Sequence, residues 1–360
     1  MDASGKKFLH ELLNTPSPSG FEQAVQRVVR RFAEPWADSV SIDVHGNLIA
    51  GINPKGTPRI VLMGHCDEIA LHITHIDDRG YASFAQIGGI NRAVTVGQRV
   101  HVLSDGGAGE IVPGVVGQKP VHHMTPEERA KLPELKDLFI DIGAKDKADA
   151  LKHIAVGDPA VFAYPPQELA NGRLAARGVD NRVGVWTVFE AARLLAANKA
   201  KARFEPAVFV VSSVQEEIGL RGARTSAYGL DPHAGIAVDV GFATDYPGED
   251  PKQAGDVKLG GGPILHRGAN INPVLDRLMV ATAKKKKIPY QLVAEPGGTG
   301  TDANAIQLTK AGVAAALVGV PLRYMHTTVE TMQYSDATAC AQLIAETVRA
   351  ISKTTSFIPA

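Results

Sequence analysis

The stretch RIVLMGHCD (59–67) decides how this chain folds. Its apolar residues run without polar alternation, the pattern of a strand buried on both faces, and the run breaks into polar groups at His65 and Asp67. Strands of that kind lie in sheets covered by helices on both sides, and ligands collect beyond their carboxyl ends. The same ending recurs farther along. Glu216 and Glu217 follow the run AVFVVSSV (207–214), Asp239 closes the run GIAV (235–238), and His326 follows ALVGVPLRYM (316–325). Asp180 opens a helical stretch over 180–197, where the positive end of the helix dipole favours a carboxylate.

Two imidazoles and three carboxylates, His65, Asp180, Glu217, Asp239 and His326, suit two divalent ions. Glu216 stands beside them as the free carboxylate that metal-assisted hydrolysis needs for a general base. Two adjacent carboxylates at the end of a buried strand repel each other and are costly to desolvate, and a bound cation resolves that conflict. Taken singly, each residue has a plainer reading: a hydrogen-bonded histidine, a helix cap at Asp180, a charged helix entry at Glu216-Glu217. Convergence of separate segments on one sheet edge carries the argument.

Around this frame the chain alternates strand and helix, except over 71–165. There, short β-rich segments separated by Gly and Pro (LHITHI, YASFAQIGGI, QRVHVLS, EIVPGVVG, PAVFAY) predict a small inserted β-barrel or sandwich, with a short helix capped by Thr125. The expected organisation is an α/β catalytic domain over 1–70 and 166–360, built on a mainly parallel sheet, and a β-rich insert over 71–165. Ser19 is expected to cap the second helix, and Asn272-Pro273 to open one that ends in the lysine run 284–287. The histidines of the insert, His72, His75, His122 and His123, read as structural or surface residues.

The 360 residues carry 38 basic and 38 acidic side chains, so no charge excess points to nucleic acid. Cys66 and Cys340 lack the spacing of a redox pair or a thiolate zinc site and are expected as reduced thiols. The opening residues lack the apolar core of a secretory signal, and no stretch approaches the roughly 20 apolar residues of a membrane span. A cytoplasmic protein without membrane partners is expected.

The chain resembles the dinuclear-metal aminopeptidases of metallopeptidase family forty-two, the tetrahedral or TET-type enzymes, which include glutamyl, leucyl and deblocking aminopeptidases. The resemblance rests on GHCDEIALHITHIDDRGYASFAQIGG, DIGA, RGVDNRVGV, VSSVQEEIGLRGA, VDVGFATDYPG, LGGGPIL, TGTDANAI and VPLRYMHTTVE, in the family's order over nearly the whole chain. It implies that Asp180 bridges two metals, that Glu217 and His326 complete one site, and that His65 and Asp239 complete the other. Glu216 would be the general base, and Asp67 would orient His65. It further implies two divalent ions (Zn2+, with Co2+ or Mn2+ as alternatives), peptide substrates cut after the N-terminal residue, and assembly through the insert from dimers to a hollow dodecamer. Cys66 departs from the Met common at its position; strand alternation turns it away from the ligands.

Related co-catalytic zinc deacylases and carboxypeptidases share such a metal pair but carry their insert after the glutamate pair, not directly after HCDE. An inactive paralogue is expected to have lost a ligand or the base, and all six positions are competent. Asp302 and Arg323 are candidate substrate contacts, with a helix cap and a structural ion-pair partner as their alternative readings. No residue dictates the preferred N-terminal side chain.

Overall fold

The computed structural model describes residues 1–197 and 205–359. Two helices, α1 (Ala3–Asn14) and α2 (Gln23–Ala33), lead into the hairpin β1 (Ser39–Ile42) and β2 (Leu48–Ile52) and then β3 (Arg59–His65). Six strands follow: β4 (Ala70–Ile76), β5 (Ala82–Ile87), β6 (Arg99–Leu103), β7 (Ile111–Gly117), β8 (Phe139–Asp141) and β9 (Pro159–Phe162). Next come β10 (Gln167–Leu169) and β11 (Arg173–Ala176), then β12 (Ala207–Ser213), β13 (Ala234–Phe242), β14 (Ile264–Gly268), β15 (Gln291–Glu295), β16 (Ala314–Leu322) and β17 (Glu330–Gln333).

One eight-stranded sheet, ordered β1-β2-β12-β3-β13-β16-β14-β15, forms the body of the molecule. The sheet is mixed, with the parallel centre that the sequence predicts and antiparallel pairs outside it. The pairs β12–β3, β3–β13, β13–β16 and β14–β15 are parallel, whereas β1–β2, β2–β12 and β16–β14 are antiparallel. The reversals lie towards the two edges: β2 enters through a tight hairpin from β1, and β14 returns beside β16 in the opposite sense. The central strands are parallel and buried on both faces, which is why they read as unbroken apolar runs. In β3 the alternation is explicit. Ile60 and Leu62 face the core with α1, the helix Val179–Ala197 and the helix Tyr334–Ala350, whereas Val61 and Met63 face the helices Arg221–Leu230 and Asp302–Gln307.

The six strands β4 to β9 close into a barrel, ordered β4-β5-β8-β7-β6-β9, with its own core of Ile73, Phe84, Val100, Ile140 and Phe162. Thr125 caps its short helix with a reciprocal capping box to Glu128. Of the insert's histidines, His72 bonds the carbonyl of Gly157 at 2.9 Å. A third, three-stranded sheet, β10-β11-β17, was not expected from the sequence.

Ser19 does not cap the second helix. Glu22 occupies that position, and the Ser19 hydroxyl instead donates to Asp67 Oδ2 at 2.6 Å. Asn272 does cap its helix, accepting from the amides of Val274 and Leu275 at 3.0 and 3.1 Å, and it also ties down the C-terminal segment by donating to the carbonyl of Phe357 at 2.9 Å. Replacing Asn272 by Ala is expected to lower unfolding free energy by about 1 kcal/mol in denaturant titration. An unchanged midpoint would show that none of these three bonds stabilises the fold.

Gly64 and Gly184 set the approach of β3 to the helix Val179–Ala197. A Cβ at Gly64 would lie 2.6 Å from the backbone carbon of Gly184. Bare backbone on both sides lets the start of that helix lie against the end of β3, which brings Asp180 to His65.

Candidate metal centre

At the carboxyl end of β3, His65 is buried between two sets of carboxylates. Its Nδ1 faces Asp67, 3.2 Å from the backbone carbonyl and 3.4 Å from Oδ1. Its Nε2 looks the other way, 3.3 Å from Asp180 Oδ1, 3.6 Å from Glu216 Oε2 and 3.8 Å from Asp239 Oδ1. With the ring proton on Nδ1, Nε2 is left as a ligand. Asp180 turns its second oxygen to the other half of the cluster: Oδ2 is 3.3 Å from His326 Nε2, which is itself 3.7 Å from Glu217 Oε2. His326 Nδ1 lies on the side of the ring against the Gly89 backbone, so this ring too presents Nε2 to the cluster.

Asp180 thus spans two groups of donors, one oxygen to each histidine. Gaps of 3.3–3.8 Å between donors on these residues are what shells of metal bonds of about 2.0–2.2 Å produce. Two sets of three ligand atoms lie within 4.8 Å of one another, His65-Asp180-Glu217 and His65-Glu216-Asp239. Glu216 therefore leans on the His65–Asp239 half, while His326 and Glu217 stand together on the other.

The electrostatics call for positive charge. Burial, reinforced by Asp239, Asp302 and Asp180 and opposed by His65, pushes Glu216 up to about 9. Burial and the repulsion of Asp180 raise Asp239 to about 8, against the pull of His65. Glu217 is raised well above the carboxylate range by burial and then by Asp180. Burial also opposes the charge on Asp180, but hydrogen bonds from His326 and His65 outweigh it and hold this carboxyl below its usual range. A cluster that cannot carry its charges unaided, with nitrogen and oxygen donors at these spacings, fits divalent cations.

Three buried carboxylates that sequence reasoning did not single out hold the cluster in place. Glu330 accepts from the amide of Asp180 at 3.0 Å and from that of His326 at 2.8 Å, fixing the left-handed backbone of His326 (φ 61°). Glu68 binds the guanidinium groups of Arg177 and Arg182, which flank Asp180 on either side. Glu22 accepts from the amide of Gln215 at 3.1 Å, one residue before Glu216. Asp67 does more than orient His65, because its Oδ1 and Oδ2 accept from the amides of Glu216 and Glu217 at 3.0 and 3.2 Å. The barrel reaches the cluster as well. A Cβ at Gly88 would lie 3.3 Å from the Glu217 side chain, and one at Gly89 would lie 3.2 Å from His326 Nδ1.

Arg323 forms a two-pronged ion pair with Asp245, with contacts of 2.8 and 2.7 Å. Thr301 caps the helix that Asp302 begins, and Asp302 is buried, accepting from Ser213 Oγ at 2.5 Å while Oδ1 has no hydrogen-bond partner among the described residues. Cys66 and Cys340 are free and buried. Cys66 packs in the core on the face of β3 away from the ligands. Among the described residues, no helix is long and apolar enough to cross a membrane.

A carboxylate set between two histidines and ringed by three further carboxylates fits the centre of a metal-dependent hydrolase. A sequence model of the M42 glutamyl aminopeptidase family matches residues 46–343, and the chain belongs to that family. It is 34% identical over 337 residues to the lysyl aminopeptidase of Pyrococcus furiosus, covering 92% of each chain. The fold matches that of a TET aminopeptidase from a marine sediment archaeon of the Thaumarchaeota with a TM-score of 0.90, at 33% identity over 96% of both chains. For the TET1 peptidase of Pyrococcus horikoshii, described as able to assemble into a tetrahedron or a large octahedral shell, the TM-score is 0.84 at 32% identity, over 95% of this chain and 98% of that one. The protein is a metal-dependent aminopeptidase.

Proposed function

We propose that this enzyme removes the N-terminal residue of peptides at a dinuclear site in which Asp180 bridges, His65 and Asp239 hold one ion, and Glu217 and His326 hold the other. The observation that carries the reading is the division of Asp180, with Oδ1 on the His65 side and Oδ2 on the His326 side. When bound, two divalent ions, Zn2+ by the donor set and Co2+ or Mn2+ as near equivalents, supply activated water, carbonyl polarisation and an anchor for the substrate's free amine. Glu216, beside His65 and Asp239 within the cluster, takes a proton from the attacking water and returns it to the leaving amine nitrogen. Asp67 keeps the His65 proton on Nδ1 and, through two amides, fixes where Glu216 and Glu217 point.

The 71–165 insert is proposed as a separate assembly domain on a catalytic domain formed by 1–70 and 166–360. The likeness of the whole chain to a peptidase that can assemble into a tetrahedron supports a homo-oligomer of dimers up to a dodecamer, which would admit peptides and unfolded chains and exclude folded ones. The free, buried thiols agree with a cytoplasmic setting.

A chelation assay tests the chemistry. Exhaustive chelation should abolish hydrolysis of aminoacyl-p-nitroanilides, and refilling with Zn2+, Co2+ or Mn2+ should restore it. N-acetylated substrates should remain uncut, because they lack the free amine. Full activity in the metal-stripped protein would remove the dinuclear reading.

A further inference from the structure

We propose that Glu22 is a positioning residue for the general base: its carboxylate holds the left-handed turn at Gln215 that aims Glu216 into the metal centre. This rests on the reading of Glu216 as the base. The strand β12 is paired with β3 as far as Ser213, and beyond it the chain leaves the sheet. The next four amides are buried or half-buried and need acceptors. Each finds a side chain. Val214 donates to Asn47 Oδ1 at 3.1 Å, Gln215 to Glu22 Oε1 at 3.1 Å, Glu216 to Asp67 Oδ1 at 3.0 Å, and Glu217 to Asp67 Oδ2 at 3.2 Å. Three separate segments thus grip one turn.

Within that row, Gln215 is the residue whose backbone most needs holding. Its φ is 55°, a left-handed conformation that a non-glycine residue keeps only where its surroundings over-determine it. Glu22 Oε1 also accepts from the amide of Gly20 at 2.7 Å, which fixes the carboxylate from its own side. One helical turn later on α2, Gln26 donates through Nε2 to the carbonyls of Ser212 and Gly46 at 2.9 and 3.0 Å. The first turns of α2 therefore clamp the chain on both sides of Val214. Glu22, Gln26 and Asn47 are all buried, so water does not replace these bonds if one is removed. A base misplaced by a fraction of an ångström loses much of its effect.

The test uses metal-loaded enzyme. Glu22→Ala should lower kcat by about 10–10²-fold with KM and metal content unchanged. Glu22→Gln keeps an acceptor oxygen and should restore kcat. Glu22→Asp draws the acceptor back by one methylene and should fall between them, and it decides the matter if the alanine variant fails to fold. In a Glu216→Gln background, Glu22→Ala should cause no further loss, because its effect passes through that carboxylate. A crystal structure of the alanine variant should show Gln215 out of the left-handed region. A folded variant without the Gln215 contact that keeps wild-type kcat and an unmoved turn would overturn the proposal. So would a glutamine variant as impaired as the alanine one, or an undiminished effect in the Glu216→Gln background. Should the wild-type enzyme show no aminopeptidase activity, Glu216 is not the base of such a reaction; the structure of the variant then decides alone whether Glu22 holds the turn.

Discussion

Replacing Glu216 by Gln should cut kcat by about 10²–10⁴-fold while the protein keeps its metal. The exchange is nearly isosteric, so the amide bond from residue 216 to Asp67 Oδ1 survives and the turn stays in place. On the proposed assignment, what disappears is the ability to take up a proton from water and release it to the leaving nitrogen. The loss corresponds to about 2.7–5.5 kcal/mol of transition-state stabilisation, and it should fall on kcat rather than KM because the substrate's anchoring groups are untouched. Glu216 also lies 3.6 Å from His65 Nε2, inside the cluster with Asp239, so the competing role is that of a ligand. Metal analysis beside the kinetics separates the two. A variant that loses one ion in parallel with its activity would make Glu216 a ligand, and near-normal turnover would remove it from the chemistry altogether.

The parts of this site legible in the sequence share one physical cause. His65 ends a strand buried on both faces, Asp239 interrupts another from within, and Glu217 stands in the turn just beyond a third, so each polar residue breaks or closes an apolar run that the fold needs. Asp67 could be found by its spacing from His65 on a strand that has just ended. Glu22, Glu68 and Glu330 lack any such mark. Their work is done on backbone amides and guanidinium groups far away in the chain, Glu330 acting on Asp180 from 150 residues on and Glu22 on Gln215 across 193. A carboxylate on a helix entry reads as surface until the fold buries it. The same limit explains the misreading of Ser19, whose helix-cap signature is real but whose hydroxyl is drawn to Asp67. It also explains the missed strands β8, β10, β11 and β17: three or four residues apiece are too short for a period, and they are set by the strands they join. The barrel's part in the centre was hidden for another reason, since Gly88 and Gly89 contribute by having no side chain.

Replacing Glu68 by Gln should lower the unfolding free energy by about 3–5 kcal/mol at neutral pH. Glu68 is the only acidic partner recorded for two buried guanidinium groups among the described residues, those of Arg177 and Arg182, and Arg182 is fully inaccessible. Removing its charge leaves two cations facing each other in a dry site, a condition far costlier than the loss of a hydrogen bond. An independent route gives a similar figure. Burial opposes ionisation of Glu68, yet Arg177 and Arg182 overcome it and bring the carboxyl down to about 2 from an ordinary 4.5. At 1.36 kcal/mol per pKa unit, that is about 3 kcal/mol of linkage. The sign follows from proton counts. Between those two pKa values the unfolded chain binds more protons than the folded one, so this contribution is complete above about pH 4.5 and fades as pH falls towards 2. The gap between wild type and variant in denaturant titrations should therefore be widest at neutral pH and narrow in acid. A difference below about 1 kcal/mol at pH 7 would mean that the guanidinium groups find solvent when Glu68 loses its charge. The damage should also reach the site, since Arg177 and Arg182 bracket Asp180, and weaker metal retention in the folded variant would show that this pair of cations, through Glu68, keeps Asp180, the proposed bridge, in register.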